Sequence, residues 1–175
     1  MSIIIDGTGA ISGVSATGLT TAQTVTQSAI ATGVAGTGPA FSAYSSTLTS
    51  VPNTTYTKIV FNTKSFDTAS AFDSTTNYRF QPATPGYYQF NLCVQAAAVG
   101  GSSEAGFFKN GSAINNGMQI PNNAATGTIL SASCLIYLNG TDYVEVYMWQ
   151  NSGGTVNCGS NSVNYSFSGS MVRAA

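Results

Sequence analysis

Apolar and polar residues alternate in the segment PATPGYYQFNLCVQ, at 82–95. Apolar side chains fall at every second position from Tyr88 to Val94. Because successive side chains of a strand point to opposite faces, the segment predicts a half-buried β-strand; a helix would need apolar residues at i, i+3 and i+4. The two prolines and Gly86 predict a turn just before the strand.

Similar strand patterns recur across the second part of the chain. The segment TILSASCLIYLNGTDYVEVYMWQ, at 128–150, predicts two long strands joined at NGTD. The segment EAGFFKNGSAI, at 104–114, predicts a hairpin that turns at Asn110–Gly111. About eight to ten strands separated by turn signals, with no convincing helix, predict an all-β fold, either a β-sandwich or a jelly roll.

The composition of the chain changes near residue 39. Residues 1–38 contain no aromatic residue and one charge, Asp6, whereas aromatics recur from Phe41 onward. The sequence therefore predicts an extended N-terminal arm at 1–38 and a globular domain at 39–175. In the arm, SIIID predicts a short strand, and TTAQTVTQSAIATG fits a short helix or an extended chain. The arm fits either a flexible linker or a segment that neighbouring subunits order, and we favour the second.

Charged residues make up only 6% of the chain, and its net charge is −1. Soluble domains have roughly 25% charged residues, so the low value favours a large oligomer that hides much of each surface. Five scattered basic residues give no electrostatic basis for binding nucleic acid or an anionic membrane. The first residues, MSIIIDGTGA, resemble neither a signal peptide nor a membrane-inserting helix.

The residue types limit the chemistry that the chain offers. The sequence has no histidine, which excludes histidine-dependent nucleophilic catalysis and histidine metal sites. Its three cysteines are widely spaced without a CxxC motif, so free thiols are expected rather than a disulfide framework or a zinc site. Six acidic residues show no spacing that brings two carboxylates together. We therefore expect no catalytic residue, no cofactor and no metal residue.

Surface recognition has few candidates in the sequence. The lone tryptophan, Trp149, fits a sugar-stacking platform, an interface anchor or an ordinary packed strand aromatic. The predicted loops at 100–104, 110–117 and 150–161 contain no aromatic residue, although carbohydrate sites usually include one. In these loops Asn115 and Asn157 are the candidate surface-recognition residues.

Residues 39–175 carry a set of motifs in a consistent order. They are PAFSAY at 39–44, AFD at 71–73, YRFQPATPG at 78–86, Gly86-x-Tyr88-x-Phe90, Leu138 with Asp142 and Val144, and SFSG at 166–169. These residues resemble the globular head of complement component one-q, in the tumour-necrosis-factor-like jelly-roll superfamily. The resemblance implies a homotrimer in which Phe41, Tyr88, Phe90 and Phe167 pack the core and the threefold contact. It also places Asp142 at a turn before a strand, where an aspartate caps backbone N–H groups.

The segment IDGTGAISGVSATGL, at 5–19, resembles the openings of tailed-bacteriophage virion proteins. Together the two resemblances imply a noncatalytic virion protein, made in the host cytoplasm: a trimeric fibre or spike component. The arm would join other virion proteins, and the head would bind a host-surface receptor or glycan, or only decorate the particle. The alternative is a soluble or secreted complement-like or cytokine-like recognition module.

Overall fold

The computed structural model of the chain describes residues 4–5, 11–12, 38–95, 100–119, 127–160 and 162–175, without the side chains of 4–5, 11–12 and 115–119. The chain divides into two compact units, residues 1–31 and 32–175. In the first unit, strand β1 (Ile4–Ile5) pairs antiparallel with β2 (Ile11–Ser12). The predicted strand in SIIID therefore includes a short strand whose partner lies in the same chain. The rest of the predicted arm, including the segment that fits a helix or an extended chain, lies outside the described residues.

The second unit is built from antiparallel strands of two to ten residues. In chain order they are β3 (Ala40–Tyr44), β4 (Leu48–Val51), β5 (Thr57–Lys58), β6 (Thr63–Asp67), β7 (Phe72–Asp73), β8 (Arg79–Phe80), β9 (Gly86–Gln95), β10 (Ser103–Lys109), β11 (Ser112–Gln119), β12 (Ile129–Leu138), β13 (Val144–Gln150), β14 (Val156–Gly159) and β15 (Ser166–Ala174). The described residues contain no helix, and so none long and apolar enough to cross a membrane.

Two large sheets face each other across one core. The five-stranded sheet has the order β12-β9-β15-β3-β6, and the six-stranded sheet has the order β11-β10-β13-β8-β7, with β5 also paired to β13. Strands β14 and β4 form a small third sheet. Apart from the consecutive pairs β10–β11 and β7–β8, neighbouring strands come from distant parts of the sequence, as in Greek-key connections. The fold is a jelly-roll β-sandwich, which confirms the predicted fold class.

Strand β9 forms from the alternating segment that follows the predicted turn. It pairs along its whole length with β12 and with most of β15. Gly86 is required at its start, because a Cβ there would lie 2.7 Å from the carbonyl oxygen of Arg173 in β15. The hydroxyl of Tyr88 donates a hydrogen bond to the carbonyl of Thr84 at 2.7 Å, which ties the turn to the strand.

The Asn110–Gly111 turn forms as predicted between β10 and β11. Both residues have positive φ, 51° and 79°, which a two-residue hairpin turn of the primed type requires. Strand β11 begins directly at Ser112, so the predicted loop at 110–117 is wrong beyond the turn itself. The period-two signal of SAINNG is weak because small and polar residues occupy both faces of the strand.

The core between the sheets consists largely of aromatic rings. Phe41 stacks on Phe80 with ring centroids 4.4 Å apart and meets Phe167 edge-on at 4.8 Å. Phe90 lies 5.9 Å from Phe167, and Tyr88 lies 5.6 Å from Phe80. Edge-on and offset contacts of this kind add to the stabilisation from burial.

The four aromatics that the sequence assigned to the core and the threefold contact lie inside the chain. Phe41 is 1% exposed, and Tyr88, Phe90 and Phe167 are fully buried. All four rings therefore pack the core of the chain, and their part in a threefold contact stays a prediction.

Candidate interaction surfaces

The outward side of the five-stranded sheet is the first candidate surface. Side chains of β9 and β12 alternate between the core and this side, as the burial of every second residue shows. We term this side the open face. Its central and most exposed members are Tyr44, Tyr87, Gln89, Asn91, Cys93, Ser133, Leu135, Tyr137 and Ser168.

Hydroxyl and amide groups occupy the centre of the open face. The strand register places Ser133, Asn91 and Ser168 side by side on β12, β9 and β15. The amide of Gln89 donates to the Ser133 hydroxyl at 2.7 Å, and this hydroxyl donates to Asn91 Oδ1 at 3.0 Å. Because these groups already satisfy one another, covering them costs less than burying polar groups without partners.

Apolar side chains border this polar centre. Leu135 is 58% exposed, and Tyr137, Tyr87 and Val172 are also exposed. The rings of Tyr87 and Tyr137 lie 5.4 Å apart across β9 and β12. Exposed apolar side chains grouped on one sheet face are typical of a contact surface.

Formal charge is rare on four of the five strands of this sheet. Strands β3, β9 and β12 contain no acidic or basic residue, and the central strand β15 contains one, Arg173. The other charges of this sheet are the ion pair of Lys64 and Asp67 on edge strand β6, while Arg173 lies opposite Tyr87 at one end of the face. Another copy can therefore cover the middle without leaving a charge buried and unpaired.

The outward side of the six-stranded sheet is the second candidate surface. It carries Tyr56, Phe108, Tyr147 and Trp149, which we term the aromatic patch. The rings of Phe108 and Tyr147 lie 4.3 Å apart, those of Tyr56 and Phe108 lie 5.5 Å apart, and those of Tyr56 and Trp149 lie 6.4 Å apart. The hydroxyl of Tyr56, just before β5, donates to Glu104 on β10, and this hydrogen bond raises the pKa of Tyr56 to about 12.

A half-buried ion pair supports the aromatic patch. The ammonium group of Lys58 pairs with the carboxylate of Glu145, which is 3% exposed. Lys58 Nζ also donates to the carbonyl of Asn77 at 3.2 Å, and the Tyr147 hydroxyl lies 3.4 Å from Glu145 Oε2. Burial, followed by the neighbouring Glu145 charge, raises the pKa of Tyr147. These contacts fix the side chains beneath the patch in one arrangement.

Asp142 holds two turns together at one end of the sandwich. Its carboxylate accepts hydrogen bonds from the Asn139 N–H at 3.1 Å and from the Asn110 side chain at 2.7 Å, and it pairs with Lys109 at 2.8 Å. The hydrogen bonds from Lys109 and Asn110 lower the pKa of Asp142. Asp142 thus caps a turn N–H, as the sequence favoured. Within the described ranges, no group of three His, Cys, Asp or Glu side chains is placed to hold a metal ion.

The two candidate recognition residues lie on different strands. Asn157 is exposed on β14, where it pairs with Ser50 of β4, so it belongs to a strand rather than to a loop. Asn115 belongs to β11, and its side chain lies outside the described residues. A recognition role for either residue stays a prediction.

Apart from Trp149, sequence reasoning did not single out the residues that form the two surfaces. For the open face a signal existed, because the alternate polar positions of β9 and β12 contain Gln, Asn, Ser and Cys but no charged residue. For the aromatic patch no local signal existed, since Tyr56 and Glu104 are 48 residues apart. Only the pairing of β5, β13 and β10 brings them together.

The C1q domain family matches residues 40–172, and the chain therefore belongs to this family. The fold is similar to the globular domain of zebrafish complement 1qA protein, with 16% identity, a TM-score of 0.60, and coverage of 78% of this chain and 98% of that one. It is also similar to Eiger TNF from S. frugiperda, with 10% identity, a TM-score of 0.58, and coverage of 78% and 93%. PRD1 vertex protein P5 is similar at 13% identity, with a TM-score of 0.57 and coverage of 77% and 96%. No curated protein matches the chain.

Proposed function

We propose that this chain is a noncatalytic structural module that forms a homotrimer through its open face and serves as a fibre or spike component of a tailed-phage particle. The observation that carries the proposal is the open face, whose centre carries no formal charge and on which exposed apolar side chains surround satisfied polar groups. Obligate interfaces are depleted of charge and rich in apolar and aromatic side chains in the same way.

The trimer is tested by the mass of the full chain in solution. Light scattering on dilution should give three times the chain mass. Leu135→Asp places a carboxylate on the open face and should yield single chains. Leu48→Asp is the matched control, because Leu48 is 60% exposed, close to the 58% of Leu135, but lies on β4 outside the open face. A wild-type monomer, or a Leu135→Asp trimer, would contradict assembly through this face.

The particle role is supported by two separate observations. The segment at 5–19 resembles the openings of tailed-phage virion proteins. The fold of the second unit is shared with PRD1 vertex protein P5, whose name places it at a particle vertex. The N-terminal arm then joins the other virion proteins, and the head projects and binds a host-surface receptor.

Removal of residues 1–38 tests whether the arm attaches the chain to the particle while the head forms the trimer. The shortened chain should still form a trimer but should not join the particle. A label at the C-terminus should appear at projecting positions in electron micrographs of the particles. If the shortened chain is incorporated normally, the arm is only a linker. If particles that lack the whole head adsorb normally to the host, the head does not bind the receptor and only decorates the particle.

A soluble or secreted complement-like recognition module is the second candidate. It is favoured by the likeness to the globular domain of zebrafish complement 1qA protein, of which this chain covers 98%. Purified particles distinguish the two functions. The chain should be a stoichiometric particle protein if the first is right, and it should be absent from particles if the second is right.

A further inference from the structure

The aromatic patch lies on the side of the sandwich opposite the open face and offers a binding site of its own. Its strands β10, β13 and β5 belong to one sheet, and it contains the only tryptophan of the chain, Trp149. We propose that the patch binds a neutral pyranose sugar, with Tyr56 and Trp149 against the sugar ring and Glu104 accepting hydrogen bonds from its hydroxyl groups.

Tyr56 and Trp149 form the part of the patch that a ligand reaches. Tyr56 is 44% exposed and Trp149 is half-buried, and their ring planes are inclined by 39°. Phe108 is nearly buried against Tyr147 and Tyr56, so it supports the surface from below. A pyranose ring has a face of C–H groups, which packs favourably on the electron-rich face of an aromatic ring.

Polar groups lie directly beside these rings. Glu104 and Trp149 are register partners on β10 and β13, which places the carboxylate next to the indole. One oxygen of Glu104 accepts the hydrogen bond from Tyr56, and a carboxylate has lone pairs for further donors. Among the residues that the structure describes, none accepts a hydrogen bond from the Trp149 indole N–H. The site therefore offers both acceptors and a donor to sugar hydroxyl groups.

The charge at the patch selects against acidic sugars. Within the described part of the chain Glu104 belongs to no ion pair, whereas the nearby Lys58 is neutralised by Glu145. The uncompensated carboxylate repels another carboxylate at short range. A neutral sugar brings hydroxyl donors without that repulsion.

The side chains are held in place before any ligand arrives. The patch lies on paired strands, and the hydrogen bond to Glu104 fixes Tyr56. The ion pair of Lys58 and Glu145 supports Tyr147 underneath. Preorganised aromatic side chains lose little entropy on binding, which favours a weak ligand such as a single sugar.

The inference deepens the host-binding part of the proposed function and rests on it for its role on a particle. Sugar binding is tested on the isolated full chain, because there it can be measured independently of trimer formation. A trimer that binds no sugar contradicts only this inference. A monomer that binds sugar contradicts only the assembly.

Because Trp149 is the only tryptophan, its fluorescence reports directly on the patch. The full chain is titrated with maltotriose, chitotriose and the trimer of galacturonic acid. We expect a saturable change with at least one neutral trisaccharide and binding of the acidic trimer at least about tenfold weaker. No response to either neutral trisaccharide, or tighter binding of the acidic one, overturns the proposal.

Three variants locate the binding. Tyr56→Ala should weaken neutral-sugar binding about tenfold, as expected for the loss of one aromatic contact. Glu104→Gln should weaken it several-fold and reduce the discrimination against the acidic trimer. Tyr143→Ala, which removes a ring packed against Arg79 on the same face, should bind as the wild type does. Wild-type binding by both Tyr56→Ala and Glu104→Gln rejects the site, and the Glu104 variant decides if Tyr56→Ala fails to fold.

Discussion

The two outward faces of the sandwich differ in how many charged residues they carry. The six-stranded sheet carries Lys58, Arg79 and Glu104 on its strands, together with aromatic rings. On the five-stranded face, strands β3, β9 and β12 carry no charge and β15 carries only Arg173 near its end, so the face presents mainly hydroxyl, amide and apolar groups. A surface that remains in water tolerates charge, whereas a surface that another copy covers incurs a desolvation penalty for each charge. This difference matches the proposal that one face serves assembly and the other serves recognition.

The two faces should differ most in how an introduced charge affects trimer dissociation. Ser168→Lys places an ammonium group in the middle of the open face, beside Asn91. Because each subunit contributes one such charge, trimer dissociation should increase at least about 100-fold. Sedimentation at several protein concentrations measures the effect. Ala113→Lys, at an exposed position opposite Phe108 on the other sheet, is the control and should remain trimeric.

Removing a lysine from each sheet should separate a buried carboxylate that loses its cation from one that keeps backbone hydrogen-bond donors. Lys58→Met leaves the nearly buried Glu145 carboxylate without its cation and should cost about 2–4 kcal/mol of unfolding free energy. Lys64→Met should cost less than about 1 kcal/mol, because Asp67 keeps the N–H donors of Ala71 and Phe72. Urea unfolding at one protein concentration compares the variants. Equal costs would show that the two faces do not differ in this respect.

The buried thiols should make the chain less stable in alkali. Burial raises the pKa of Cys134 to about 11 and of Cys158 to about 12, above the usual value of about 8.5 for a free thiol. In the unfolded chain both thiols ionise near pH 8.5, whereas in the folded chain they stay protonated. The unfolding free energy is therefore at its full value below pH 8.5 and should fall by about 1–3 kcal/mol between pH 8.5 and 10.

Urea unfolding under reducing conditions at pH 7, 8.5 and 10 measures that loss. The double variant Cys134→Ala and Cys158→Ala is the control and should lose much less between pH 8.5 and 10. An unchanged pH dependence in the double variant would assign the loss to other groups, among them Tyr88, whose pKa burial raises to about 12.

The smallest effect is expected between pH 5.5 and 8, where the melting temperature should hardly change. The chain has no histidine, and hydrogen bonds lower the pKa of three carboxyl groups, among them Asp73 and Asp142. The N–H groups of Thr76 and Thr75 do this for Asp73, and Lys109 and Asn110 do it for Asp142. A carboxyl group whose pKa is lowered in the folded state stabilises the chain above about pH 4. This stabilisation is lost only as the pH falls further. A steep change within the window would point to a strongly shifted group on one of the faces.

Much of the fold was predictable because local chemistry fixes it. The alternation from Tyr88 to Val94 predicts β9, and Asn110–Gly111 predicts the hairpin turn, since both signals involve residues close in sequence. The prediction of a loop around Asn115 is wrong because the structure there depends on a neighbouring strand and not on local sequence. Strand β11 forms because β10 supplies its hydrogen bonds, and its own pattern is weak.

The candidate surfaces were much less predictable. Phe41 and Phe167 were recognised as packing residues, but an apolar side chain in an alternating strand is equally suited to the core or to a subunit contact. The structure places both rings in the core between the sheets, 4.8 Å apart. Leu135 and Tyr137, which alternate with core residues on β12, are exposed instead.

By itself the sequence determined that this chain forms an all-β sandwich and offers no histidine chemistry, because strand period, turn residues and composition are local properties. Only the tertiary structure decided which side of each strand faces the core and which distant residues become neighbours. Gln89 reaches Ser133 because β9 and β12 pair, and Tyr56 reaches Glu104 because β5, β13 and β10 share a sheet. Strand order depends on the packing of the whole core, and no short stretch of the chain encodes it.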